Sequence, residues 1–492
     1  MIVVSRHVTA WFPALFLLPA LLWGAPDAWI PARWSGGPLE LERLAKARTP
    51  PADEAVRDTI ANWYDPATLD LLRDSPLNCL LVTWSAGAAD AVERRQQALV
   101  KAYATEAHRR GIAMLGLVYP GADPEKFMPA AADARLDGIV LEGKFPSGSA
   151  ARIAGTVVIP LEGDSPSARN LADMGIRAAP SSEPWIESNI WRVRAARFFE
   201  PGRPAWISYR IDRPKEADYA RSIADAAVAG GRWIVDLDET LRVKLRRGEP
   251  GALAVWRRIA DCLRFAEDHA AWRGFVPFGK LGIIVEPGAG SEMADEYLKL
   301  VARRQVPYRL MMRAQLTEAA LAGFRAVLAT ELAPPTTTER KLLTRFAESG
   351  GLVVGGPDWG EIPAGEPYVE RPLGKGRMAL YRSPDPESIA REMRELLSLK
   401  DAGLIAFNVP TVLTCASREP GGSHLLVQLL NYSDTQATDI TIRVNGVFKT
   451  ARLFTPGAEP ADLATNAARG ATDITIPKLG FWGGVLLEGE IP

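Results

Sequence analysis

Histidine is scarce in this chain, with four among 492 residues. His7 lies in the first apolar stretch, His108 and His269 fall in helical patterns, and His424 falls in a β-rich tail. No two of them sit at the spacing a zinc site needs, which argues against a zinc hydrolase. A Ser-His-Asp triad is as poorly supplied. Helix-surface or packing imidazoles are the simpler reading. Cysteine is also rare: Cys79, Cys262 and Cys415 form an odd, scattered set. Such a set is no disulfide framework and reads as small buried apolar residues. An excess of charge is missing too, since 58 basic and 59 acidic residues leave a net charge of −1. That balance gives no footprint for a nucleic-acid or anionic-membrane partner.

Long apolar runs are confined to the N-terminus. Arg6 and His7 precede the run Ala10–Leu22, and the small residues Gly24 and Ala25 follow. Residues 1–25 therefore read as a signal peptide, with cleavage expected near Gly24 or Ala28. The protein is expected to be exported, periplasmic or secreted. An uncleaved N-terminal anchor is the alternative. Two prolines in a short apolar core argue against a stable membrane span, and none is expected after cleavage.

What is present is an ordinary globular composition, 47% hydrophobic and 24% charged, long enough for about three domains. Residues 26–75 are a Pro-rich leader with a helix expected at Pro66–Arg73. Strand-like runs follow at Cys79–Trp84, Ile112–Tyr119, Gly138–Leu141, Thr156–Leu161, Ile176–Ala179, Ala205–Ile211 and Trp233–Asp236. Amphipathic segments such as Ala89–Arg110, Glu216–Ala229 and Ala252–His269 separate most of them. Repeated βα units predict a parallel sheet with helical crossovers, an α/β fold, here a (β/α)8-type barrel over residues 26–275. Asn189–Arg194 is the candidate for its irregular eighth strand.

A second α/β unit, flavodoxin-like, is expected over 276–383, with a strand at Leu281–Glu286 and a helix at Ser291–Arg304. Within it, Glu339–Pro357 reads as a helix with Leu342, Leu343 and Phe346 at helical spacing, a Gly350–Gly351 stop, and a Val-rich strand. Residues 384–492 contain His424–Ser433, Thr438–Gly446 and Ala471–Pro477, which alternate at period two around turns such as Asn445–Gly446. They predict a small antiparallel β-sandwich.

Carboxylates are the reactive groups left, and they stand at strand ends. In a barrel of this kind catalytic groups project from the C-terminal ends of strands. Glu142 and Glu162 each end a strand and precede a glycine, and Asp236 ends the run from Trp233. Crowded acids above one ring suit glycoside hydrolysis, in which one protonates the leaving oxygen and another attacks or activates water. Glu142, Glu162 and Asp236 are the catalytic candidates. Trp84, Tyr119, Glu183, Trp185, Asp212 and Asp238 are the substrate-binding candidates, the aromatics because sugar C–H faces stack on such planes. Trp185 and Glu183 belong to Ser182–Asn189, a polar and aromatic stretch that suits a binding rim. Each acid also has a structural alternative, capping the next helix or pairing with an arginine. The turn Pro287–Gly290 lacks the third glycine of a dinucleotide fingerprint, with Met293 in its place, so no cofactor is expected.

The order of these parts, with the Glu339–Pro357 unit between βα repeats and an all-β tail, resembles the multidomain glycoside hydrolases that include the trimeric β-galactosidases. The phrase Leu430–Asn431–Tyr432 and the later Ile474–Thr475–Ile476–Pro477 strand look like that group's last domain. The resemblance implies a catalytic barrel, then a glutamine-amidotransferase-like domain, then a β-sandwich. It also implies two catalytic glutamates, on strands four and seven. Here Glu162 falls on strand four, and strand seven offers Asp236 or Asp238. No Asn-Glu pair of the family's acid/base type is present. Gly279–Tyr381 contains neither cysteine nor histidine, so that domain cannot perform the amidotransferase reaction. Packing or assembly is its expected role, with a homo-oligomer formed through it. Two functions are carried forward: an exported glycoside hydrolase with a carbohydrate substrate, or a catalytically inactive carbohydrate-binding or assembly protein of the same architecture.

Overall fold

The computed structural model describes residues 26–47, 53–145, 153, 155–158, 160–169, 184–212, 214–286, 292–330, 332–407 and 409–491. The expected signal peptide, the strand at Ile176–Ala179 and the turn Pro287–Gly290 lie outside them.

The N-terminal part is built on short parallel strands. These are β1 (Pro31–Arg33), β2 (Cys79–Ser85), β3 (Ala113–Val118), β4 (Gly138–Leu141), β5 (Thr156–Val158) and β6 (Leu161–Glu162). A small antiparallel pair, β7 (Ser167–Arg169) and β8 (Trp185–Glu187), intervenes before β9 (Trp206–Ser208), β10 (Arg232–Trp233) and β11 (Val235–Asp236). One sheet runs β11-β1-β2-β3-β4-β5 and a second runs β10-β9-β6. The two are continuous in sequence twice. β6 closely follows β5, and only Ile234 separates β10 from β11. Pairing and chain continuity together link β1 through eight further strand segments, the last of which, β11, pairs with β1.

Every residue of β2, β3 and β4 is buried. Helices cover the outer face, so both sides of these strands must be apolar, and their sequences are near-continuous hydrophobic runs. The covering helices include Asp90–Arg109, Pro124–Asp133, Glu216–Ala227 and Pro250–Asp268. The start of Pro124–Asp133 is typical, with proline in its first turn and Asp123 accepting from Glu125 N–H at 3.1 Å.

Two expectations change. The Pro-rich leader is not a leader, because it supplies β1 and the helices Gly37–Lys46 and Glu54–Ala61. Nor is Asn189–Arg194 a strand. It opens the helix Ile190–Phe199, which buries Ile190, Trp191 and Val193. Ser188 Oγ accepts from Ile190 N–H at 3.2 Å and satisfies one of the free donors at its start.

The second sheet system orders its strands as 308–312, 281–285, 326–329, 352–355, 376–381 and 368–373, all parallel except the last pair. This is a flavodoxin-like order. Its helix Thr337–Glu348 starts with a reciprocal Thr336–Glu339 capping box. The chain leaves the helix through Gly350, whose φ of 118° suits glycine. The C-terminal part is a sandwich of two antiparallel sheets. Ile440 pairs with Ile476 and Ile442 with Ile474, and all four are fully buried. The chain is thus a mixed α/β protein with parallel sheets first and antiparallel sheets last.

Candidate active site

Register places the first two charges. On β1, Arg33 is the pairing partner of Asp236 on β11. Partners on adjacent strands are about 5 Å apart and project to the same face. The two side chains therefore meet, with Arg33 Nε 3.3 Å from Asp236 Oδ2. Glu142 follows β4, where its N–H donates to the Val118 carbonyl at 3.0 Å. The chain then turns at Gly143, whose φ of 96° would strain any other residue. Arg33 Nη2 donates to Glu142 Oε1 at 2.8 Å and to Ser208 Oγ, at the end of β9, also at 2.8 Å. Ser208 in turn donates to Glu142 Oε1 at 3.3 Å. One guanidinium thus ties together the C-terminal ends of three strand segments.

A second layer surrounds it. Glu40, almost wholly buried on the helix Gly37–Lys46, receives Arg43 Nε at 3.0 Å, Arg43 Nη2 at 2.6 Å and Thr83 Oγ1 at 2.9 Å. Burial pushes the Glu40 carboxyl up, but the Arg43 fork and Thr83 outweigh it and hold it below its usual range. The Arg43 guanidinium lies 4.6 Å from the centre of the Tyr119 ring. Burial first, then the charge of Glu40, pushes the Tyr119 hydroxyl up to about 12. On the other side, Arg210 Nε is 3.6 Å from Asp236 Oδ2 and its Nη1 is 2.7 Å from Glu239.

Asp236 contrasts with Glu40. Its side chain is 8% exposed. Burial raises its pKa above the usual aspartate range, although Arg33, Arg210 and Arg242 all pull the other way. Arg33 behaves in the opposite sense. Burial works against its charge, yet Glu142, Tyr119 and Asp236 together strengthen its hold on the proton.

These groups face an open cavity of about 620 Å³, lined by Arg33, Arg43, Tyr119, Glu142, Glu162 and Asp236 among others. Glu162, paired in register with Ser208, stands exposed at its edge. Gly163 follows it, and an added Cβ there would come within 2.6 Å of Ile207. Glu142 Oε1 and Asp236 Oδ2 grip one guanidinium, whose nitrogens lie about 2.3 Å apart, so the two oxygens are separated by no more than about 8.5 Å. Glu142 Oε2 is buried and has no hydrogen-bond partner among the described residues.

Sequence reasoning thus selected three acids and Tyr119, and the structure gathers them around one cavity. The other candidates lie elsewhere. Trp84 is fully buried and donates its indole N–H to the Phe127 carbonyl at 3.3 Å, so it packs the core below the mouth. Trp185 is in β8, with the Arg303 guanidinium 4.0 Å and the Lys299 ammonium 4.9 Å from its ring, at the contact with the flavodoxin-like sheet. Asp238 caps the helix Glu239–Arg246, accepting from Thr240 and Leu241 N–H at 2.9 and 3.1 Å. Asp212 is exposed outside the cavity lining, and Glu183 lies outside the described residues. Arg33, Arg43, Glu40, Ser208 and Arg210 were missed. Pro31 was the available signal for β1, since proline is tolerated as the first residue of a strand.

The described residues contain no cluster of His, Cys, Asp and Glu suited to a metal ion. All three cysteines are free and buried.

No protein-family profile matches the chain, and no curated protein matches it by sequence. Solved structures do match. Alpha-L-fucosidase isoenzyme 2 from Paenibacillus thiaminolyticus aligns over 87% of this chain and 96% of its own, with 11% identity and a TM-score of 0.56. The beta-galactosidase from Bacillus circulans sp. alkalophilus aligns over 80% and 69%, with 11% identity and a TM-score of 0.37. A rhamnosidase from Novosphingobium sp. PP1Y aligns over 82% and 39%, with 12% identity and a TM-score of 0.38. The chain has a multidomain glycoside hydrolase-like fold. At such identities the likeness is one of fold alone.

Proposed function

We propose that the cavity at the strand ends is a carbohydrate site and that the protein hydrolyses glycosidic bonds there with Glu142 and Asp236. One observation carries the reading: two strand-end carboxyls from different parts of the ring share one guanidinium inside an open cavity. Asp236, its pKa raised by burial, protonates the departing glycosidic oxygen. Glu142, salt-bridged to Arg33, attacks the anomeric carbon or takes a proton from the attacking water. Arg33 positions both, and Ser208 fixes the Glu142 oxygen it shares. The limit of about 8.5 Å on the oxygen separation accommodates either a retaining or an inverting course. Glu162 is the third acid of the cavity and the next candidate.

The grip of Arg33 on both acids favours a second reading, a site that binds a glycan without cleaving it. Assay of the full chain on a panel of chromogenic glycosides separates the two. Hydrolysis that falls by about 100-fold or more in Glu142→Gln and Asp236→Asn, with glycan affinity retained, supports the first. Glycan binding by a wild-type protein that cleaves nothing supports the second. Activity untouched by Glu142→Gln, Glu162→Gln and Asp236→Asn would overturn the assignment.

No helix among the described residues is long and apolar enough to cross a membrane. We further propose export through residues 1–25, to be tested by N-terminal sequencing of secreted protein. Self-association through the flavodoxin-like sheet is the matching proposal for assembly, to be tested by sedimentation.

A further inference from the structure

The three sheet systems meet at another cavity, of about 520 Å³. Its walls come from the helix Ile190–Phe199, the turn after the helix Pro250–Asp268, the strand Tyr308–Met312 and the sandwich strands Val412–Arg418 and Trp482–Glu490. Five arginines line it: Arg194, Arg197, Arg273, Arg309 and Arg418. No aspartate or glutamate lies among the lining residues.

The partners of these arginines are mostly neutral. Arg194 donates to Cys415 Sγ at 2.9 Å and lies 5.3 Å from the centre of the Tyr308 ring. Arg197 donates to the Ala229 and Arg273 carbonyls, each at 2.9 Å. Arg309 donates to the Gly279 carbonyl at 3.0 Å and stacks on Phe324. Arg418 is exposed at the rim and forms no ion pair among the described residues. Arg273 alone of the five reaches a carboxylate, Glu267, which it shares with Arg232.

Positive charge gathered in a recess with so little countercharge is unfavourable. Burial first, then repulsion from Arg273, lowers the pKa of Arg197. Burial and then Arg418 do the same to Arg309. The other lining residues include the aromatic Phe198, Trp272 and Trp482, beside the polar His269, Ser417 and Gln428. Trp482 Nε1 is buried without an acceptor among the described residues.

We infer that this cavity binds a small organic anion, an acidic head group on an aromatic or aliphatic body. The head group neutralises the arginines, and the body covers the aromatic wall. Because the cavity is walled by all three sheet systems, the occupant joins them and stabilises their packing. The inference is independent of the glycoside reading.

The test titrates the full chain with 8-anilinonaphthalene-1-sulfonate, followed by fluorescence. N-phenyl-1-naphthylamine, the same ring system without the sulfonate, serves as the neutral control. Saturable binding of the sulfonate is expected, weakened about tenfold or more in Arg309→Gln/Arg418→Gln and by added salt, with the neutral probe unaffected by either change. Arg418→Gln alone, at an exposed side chain, provides a variant that leaves the fold intact and is expected to shift binding in the same direction. Failure of the wild-type chain to bind the sulfonate, binding unchanged in both variants, or equal loss of both probes would overturn the proposal.

Discussion

Asp225 and Asp236 are both buried aspartates, yet their surroundings assign them different work. Asp225, on the helix Glu216–Ala227, sits at the seam with the sandwich. Its oxygens accept from Ser188 Oγ at 2.7 Å, from Asn189 N–H and Nδ2 at 2.8 and 2.9 Å, and from the Tyr432 hydroxyl. Its hydrogen-bond donors are neutral. Asp236 faces a cavity and is held by arginines. Burial raises both carboxyls. A raised pKa alone therefore does not mark a catalytic acid, because access to a substrate must accompany it.

The sharpest way to break this contrast is Asp225→Ala. It strands four donor bonds in the interior and should cost about 3 kcal/mol or more, lowering the melting temperature by roughly 6–12 °C. A melting temperature within a degree or two of wild type would show that the seam does not depend on Asp225.

The pH dependence sharpens it further. Both aspartates hold their proton more tightly folded than unfolded. From the usual aspartate range up to their folded values, the native state therefore binds more protons, and the stability these sites confer falls as pH rises. Asp236→Asn removes one such site, so its melting temperature should decline less than that of wild type between about pH 4 and pH 7. Parallel curves would contradict the raised value at Asp236.

The smallest effect supplies the opposite sign. Arg313, donating to Glu339 at 2.8 and 2.9 Å, is the first cause that holds the Glu339 carboxyl down, at about 2. Its contribution is present above the unfolded glutamate pKa and is lost as pH falls toward about 2. Glu339 is near the surface and also closes a capping box, so Glu339→Ala should cost about 1 kcal/mol, read by chemical unfolding at neutral pH and diminishing in acid.

Much of the fold was legible because burial on two faces leaves its mark on sequence. β2, β3 and β4 are near-continuous apolar runs, and the end of β4 pointed to Glu142 much as the run from Trp233 pointed to Asp236. β1 carries no such mark. Three residues starting with Pro31 are too few to show a period, and so Arg33, the residue that joins the two acids, went unseen. Ile190, Trp191 and Val193 are as compatible with a strand as with a helix over so short a window. The turn begun at Ser188 and the packing of Trp191 against the flavodoxin-like sheet decide for the helix. Trp84 misled for a related reason. An aromatic near a strand end suits a rim, but both faces of β2 are buried along its whole length. Asp225 had no sequence signal, since its partners Ser188, Asn189 and Tyr432 are remote in the chain.

The most direct measurement compares Asp236→Asn with Asp225→Asn on one glycoside that the wild-type chain cleaves, as turnover per folded molecule. Asp236→Asn should lose about 100-fold or more in rate while melting within about 2 °C of wild type, and Asp225→Asn should melt lower while keeping its rate within a few-fold. Equal rate losses in the two variants, or a rate retained in Asp236→Asn, would contradict the account.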